Sequence, residues 1–118
     1  MINLTEIFYR IQYLDSKNER EFQKKIIKTM EELGELSAVY LEQDGYKLVS
    51  KKRSPEEIDK HKLEEGCDVL IQSLSLLAHM GYSLKQISEM CEYKCNVWEE
   101  KLKNSNLENN NSYYGECN

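Results

Sequence analysis

Glu65-Gly66-Cys67-Asp68-Val69-Leu70-Ile71-Gln72-Ser73-Leu74-Ser75-Leu76-Leu77-Ala78 is the stretch on which the fold turns. Val69, Leu70 and Ile71 are consecutive apolar residues, and Leu74, Leu76, Leu77 and Ala78 follow. Each helical step turns by about 100°, so a helix here is apolar on nearly all sides. Such a helix belongs inside a bundle or at a contact between subunits. Glu65 and Asp68 stand on one face at its start, where an unpaired charge is costly to bury.

Upstream, Ser54-Pro55-Glu56-Glu57 opens this helix: serine caps, proline suits the first turn and Glu57 completes a capping box. Gly81 is expected to stop it after about Met80. A preceding helix is expected from about Asn18 to Gln43, opened by a capping box at Ser16-Lys17-Asn18-Glu19 and closed by Asp44-Gly45. Leu4, Ile7, Phe8, Ile11 and Leu14 carry helical spacing for a first helix over Leu4 to Leu14. Ser83-Leu84-Lys85-Gln86 opens a fourth helix, expected to end near Lys103. Tyr46 to Arg53 reads as a loop. With 118 residues, one proline, five glycines and little strand-type alternation, the expectation is a single all-α, four-helix-bundle-like domain over 1–103. Residues 104–118 read as a flexible, asparagine-rich tail.

A second acidic cluster, Glu31-Glu32-Leu33-Gly34-Glu35, lies on the second long helix. Glutamates on helices are usually solvated, and Glu19, Glu21, Glu42, Glu56 and Glu57 are assigned to that class. The two clusters differ because neither contains a basic residue. Like charges 4 Å apart repel by ~4 kcal/mol at an effective dielectric of 20. If the clusters converge, a cation or a shared proton must offset this. Hard oxygen ligands of this kind suit Mg²⁺. Gly34, which costs the helix ~1 kcal/mol against alanine, would permit close approach of a neighbouring helix or a substrate.

The net charge of −5 argues against a nucleic-acid polymer as partner, though not against a nucleotide carrying cations. No apolar run approaches the roughly 20 residues of a membrane span. Met1-Ile2-Asn3-Leu4-Thr5-Glu6 lacks the features of a signal peptide, so a cytoplasmic protein with reduced cysteines is expected.

The paired motif, E-E-x-x-E at Glu31–Glu35 and E-x-x-D at Glu65–Asp68, resembles the MazG-like, all-α nucleoside triphosphate pyrophosphohydrolases. The resemblance spans roughly Leu4 to Leu102. It implies a helical bundle completed by oligomerisation, as a homodimer or homotetramer. It also implies hydrolysis of nucleoside triphosphates, dNTPs among them, to monophosphate and pyrophosphate with Mg²⁺, or Mn²⁺ as a substitute. Glu32, Glu35, Glu65 and Asp68 resemble the metal ligands, and Glu31 the accompanying acid. Lys94 and Lys101 fall where the family places phosphate-binding groups, with Trp98 near Lys94 on the same helix.

Hydrolysis requires an acid that takes the proton of the attacking water, with Glu31 or Glu35 as candidates. It also requires a cation for the departing pyrophosphate, with Lys28, Lys94 or Lys101 as candidates. Two other readings stay open. One is a phosphoribosyl-ATP pyrophosphohydrolase, which has related acidic motifs; the other is a non-catalytic helical interaction module. Cys67, Cys91 and Cys95 are expected as small buried thiols, and Cys117 as a reduced thiol. His61 and His79 are expected at the surface, Tyr9, Tyr13, Tyr40 and Tyr46 in core or rim packing, and Lys51-Lys52-Arg53 in a solvated loop.

Overall fold

The computed structural model describes residues 3–17, 21–45 and 53–108. They form four α-helices and no strand: α1 Leu4–Lys17, α2 Phe22–Gln43, α3 Pro55–His79 and α4 Leu84–Glu108. The all-helical expectation holds. The chain divides into two compact units, Met1–Tyr82 with α1 to α3 and Ser83–Asn118 with α4. No described helix is long and apolar enough to cross a membrane.

Two of the three expected helix starts are built as the sequence implies. The Ser54 hydroxyl accepts a hydrogen bond from the Glu57 backbone N–H at 3.2 Å, with Pro55 in the first turn. At α4 the exchange is reciprocal. Ser83 Oγ accepts from the Gln86 N–H at 3.2 Å, and Gln86 Oε1 accepts from the Ser83 N–H at 2.9 Å. Gly45 and Gly81 leave their helices at φ 78° and 91°, which a side chain would resist.

The third start is corrected. Ser16 does not cap α2; it lies in the last turn of α1 and donates to the Tyr13 carbonyl at 2.6 Å. Asp15, beside it, is bonded to α2 and α3, and this tertiary anchor carries α1 past Leu14 to Lys17. α2 starts at Phe22, behind an extended Glu21. At the other end α4 runs five residues past Lys103, to Glu108; no glycine or proline interrupts it there. Tyr46, Lys51, Lys52, Cys117 and residues 109–118 lie outside the described residues.

α2 and α3 are antiparallel neighbours. The start of α2 meets the end of α3, where the Phe22 ring stacks on His79 with centroids 5.8 Å apart. At the opposite end Lys62 Nζ donates to Gln43 Oε1 at 3.1 Å. Phe8, Ile11 and Val39 are the buried apolar side chains among the described residues, and Phe8 alone is fully enclosed. Beside them Lys25, 4% exposed, donates to Ser75 Oγ at 2.9 Å and pairs with Asp15 Oδ1 at 3.1 Å. Ser75 Oγ in turn donates to Asp15 Oδ2 at 2.7 Å. One polar knot thus ties α1, α2 and α3, and each member supplies a partner to the others.

The expectation that α3 is enclosed is corrected for this chain by itself. Its buried residues are Glu65 and Ser75, while Leu63, Leu70 and Ile71 are exposed. Likewise α2 is apolar on two faces. Lys25, Glu32 and Val39 are buried, whereas Ile26, Met30, Leu33 and Leu41 form an exposed row. Tyr9, Tyr13 and Tyr40 are also exposed; the Tyr9 ring meets Phe8 edge-on with centroids 5.8 Å apart, and Lys17 Nζ lies 5.5 Å from the centre of the Tyr13 ring. Gly34 lies on the open side of α2, and a Cβ there would meet nothing within 4 Å, so α3 makes no close approach to it. Gly34→Ala is therefore expected to raise stability by about 1 kcal/mol, read from denaturant melts. A loss instead would locate a partner on this face.

Candidate metal centre

Helical pitch sets Lys28, Glu31, Glu32 and Glu35 on neighbouring turns of α2, and Glu65 and Asp68 on one turn of α3. The antiparallel register brings the two rows together. One carboxylate oxygen each from Glu32, Glu65 and Asp68 lies within 4.8 Å of the others. Glu32 and Glu65 are buried, and Asp68 sits at the open edge. Glu32 Oε2 and Glu65 Oε2 are buried without a hydrogen-bond partner. Buried carboxylate oxygens are rarely left so, and a bound cation is one group that satisfies them. Three carboxylates at this separation, with orphaned oxygens, suit a hard divalent ion.

Glu35 stands just outside this triad. Its carboxyl is pushed above the ordinary glutamate value, first by a hydrogen bond shared with Glu65 and then by the charge of Glu32. Asp68 is also pushed up, first by desolvation and then by the charges of Glu32 and Glu65. Neighbouring negative charge adds to both shifts, and Lys28 opposes it at Asp68.

Neither cluster contains a basic residue, but Lys28, one turn ahead of the first, reaches its acids. Its Nζ lies 2.9 Å from Glu32 and 3.0 Å from Glu31, and these bonds raise its own pKa. Part of the repulsion is therefore offset from within the chain. Glu31 is exposed and engaged with Lys28, which leaves Glu35 as the acid best placed beside the triad.

Three partnerships were missed in the sequence, one of them local. His61 is half-buried, with Nε2 3.6 Å from Glu65 and Nδ1 3.6 Å from Glu64, not a solvated surface histidine. Its place one turn before Glu65 was the available signal. Glu42, assigned to solvent, is held by Arg53 through two bonds of 2.9 Å, and Arg53 is likewise not a solvated loop residue. Lys25 is the third, in the knot described above. The thiols of Cys67, Cys91 and Cys95 are exposed, against the expectation of burial. On α4, Lys94, Trp98 and Lys101 recur along one side at helical spacing, and all are exposed. They belong to the second compact unit.

Compared with known protein families, with curated proteins and with solved structures, the chain matches none.

The raised carboxyls set a pH dependence for the metal-free protein. Their folded values exceed the unfolded ones, 3.8 for aspartate and 4.5 for glutamate. The folded state thus binds these protons more tightly. Their contribution is complete below the unfolded values and is lost as pH rises through the folded values. Melts in chelator are expected to show wild type losing stability above pH 4.5 relative to Asp68→Asn, which lacks one of the two groups. Parallel pH profiles for the two proteins would refute the shift at Asp68.

Proposed function

We propose that the chain is a metal-dependent nucleoside triphosphate pyrophosphohydrolase of the MazG-like, all-α kind, acting on nucleotides that include dNTPs. The observation that carries this reading is the convergence of Glu32, Glu65 and Asp68, with buried oxygens left unpartnered. The resemblance of the paired acidic motifs adds the reaction class.

Glu32, Glu65 and Asp68 would hold Mg²⁺ or Mn²⁺, with Glu35 at their edge. When bound, the ion supplies charge neutralisation for the phosphates and a more acidic water. The chain's own residues do the rest. Glu35 accepts the proton of the attacking water, favoured over Glu31 because Glu31 is engaged by Lys28. Lys28 stays protonated and pairs with Glu31 and Glu32. Lys94 and Lys101 are assigned to the phosphates by the resemblance. A homodimer or homotetramer would cover the exposed rows of α2 and α3, which are wide for a chain with so small a core.

The deciding experiment incubates the purified protein with Mg²⁺ and a panel of nucleoside triphosphates. Monophosphate plus pyrophosphate is the expected product pair. Orthophosphate alone would mean different chemistry. A second reading, a non-catalytic helical interaction module, draws on Lys28, because an internal ammonium already answers two of the acids. It would be favoured by no turnover of any substrate together with no ion binding by calorimetry.

A further inference from the structure

A cavity of about 210 Å³ opens beside the carboxylates, and its lining mixes acids and bases. Glu35, Glu42 and Glu65 line it together with Arg53 and His61, with His61 Nε2 3.6 Å from Glu65. Glu65, a buried residue of this lining, carries an oxygen, Oε2, that is buried without a hydrogen-bond partner. Arg53 gives Nε and Nη2 to Glu42, each at 2.9 Å, so one edge of the guanidinium is fixed. The remaining N–H groups of the fork are left for another acceptor. The Glu42 side chain is itself only 8% exposed, and its pairing stiffens the arginine at the cavity wall.

We propose that Arg53, assisted by His61 as an N–H donor, forms the polyphosphate end of the substrate site and holds pyrophosphate as it leaves. The inference rests on the hydrolase reading and adds residues to it. In the reaction, the oxygen of water bonds to the α-phosphorus while the bond from that phosphorus to the α–β bridging oxygen breaks. The water's proton passes to Glu35. The bridging oxygen keeps the bonding electron pair and departs within pyrophosphate, whose growing charge Arg53 meets with charge-assisted hydrogen bonds. Arginine keeps its charge at every working pH, which suits a group that must meet a strong anion. The acids that share the cavity, Glu35 and Glu65, repel a bare anion, so pyrophosphate binds here only together with divalent ions.

Isothermal titration of inorganic pyrophosphate into the full chain, with and without saturating Mg²⁺, tests this. Wild type binds with Mg²⁺ and not without it. Arg53→Gln weakens binding by about 10- to 100-fold, the loss expected for charge-assisted bonds. Because Arg53→Gln takes the guanidinium away from Glu42, the double variant Glu42→Gln/Arg53→Gln is run beside it. The double variant keeps the helical circular dichroism and the Mg²⁺ affinity of wild type and shows the same loss for pyrophosphate. His61→Gln weakens binding by a smaller factor. Pyrophosphate bound as tightly by both arginine variants as by wild type overturns the proposal, as does pyrophosphate not bound by wild type. If wild type hydrolyses nucleotides but binds pyrophosphate independently of Arg53, the subsite falls and the hydrolase stands. If wild type hydrolyses none yet binds pyrophosphate through Arg53, the hydrolase reading falls and the anion site stands.

Discussion

Asp68→Asn is expected to lower turnover by about 10³-fold or more while making the metal-free protein harder to melt. The first effect follows from removing one charged oxygen donor of three: electrostatic assistance of several kcal/mol corresponds to that factor in rate. The second follows from the same geometry. Asp68 faces the charges of Glu32 and Glu65 and is partly desolvated, so its ionised form opposes folding when no ion is present. The neutral amide relieves this. Mg²⁺ is expected to raise the melting temperature of wild type and to raise that of Asp68→Asn less. Thermal melts with and without Mg²⁺, beside a product assay, check all three results. Near-normal turnover, or a variant that melts lower than wild type without metal, would remove the site. The opposed signs matter, since a residue kept only for folding gives a loss in both measurements.

Asp15→Ala is expected to cost roughly 3–5 kcal/mol of stability at neutral pH. The substitution strips the Lys25 ammonium, 4% exposed, of its only carboxylate among the described partners and leaves it with Ser75. It also frees the last turn of α1 from the other helices. With Phe8, Ile11 and Val39 as the buried apolar residues, the chain has little reserve against such a loss. Ser75→Ala is expected to cost less, about 1–3 kcal/mol, because the Lys25–Asp15 contact survives. Denaturant unfolding followed by circular dichroism measures both. Equal effects of the two substitutions would mean that the knot is not centred on the charge pair.

What was legible in the sequence was local. The cap at Ser54 and the reciprocal box at Ser83 are short-range hydrogen bonds between residues three apart, and spacing encodes them directly. The same rule misplaced the start of α2, because Ser16 satisfies its hydroxyl inside α1 once Asp15 is anchored elsewhere. The acidic face of each helix was legible for the same reason. That the two faces meet needed the antiparallel register, which the motifs implied only through the family resemblance. Lys28 sat one turn ahead of Glu31 and Glu32, but its two ion pairs depend on rotamers that spacing alone does not fix. Arg53 with Glu42 joins residues across the α2–α3 connection, and Lys25 with Asp15 and Ser75 spans three helices. Such contacts are products of packing. Apolar periodicity told which faces of α2 and α3 require cover and was silent on what covers them.

Lys28 carries one last consequence. An ion arriving alone must share its berth with a resident ammonium, and like charges in a tight space weaken each other's hold. An ion arriving already chelated by a polyphosphate brings its own anion, which gives the displaced ammonium somewhere favourable to turn. Metal and nucleotide should therefore load as a couple, each tightening the other by the same factor. A solution of the free ion would leave the protein largely empty at concentrations where the chelate saturates it.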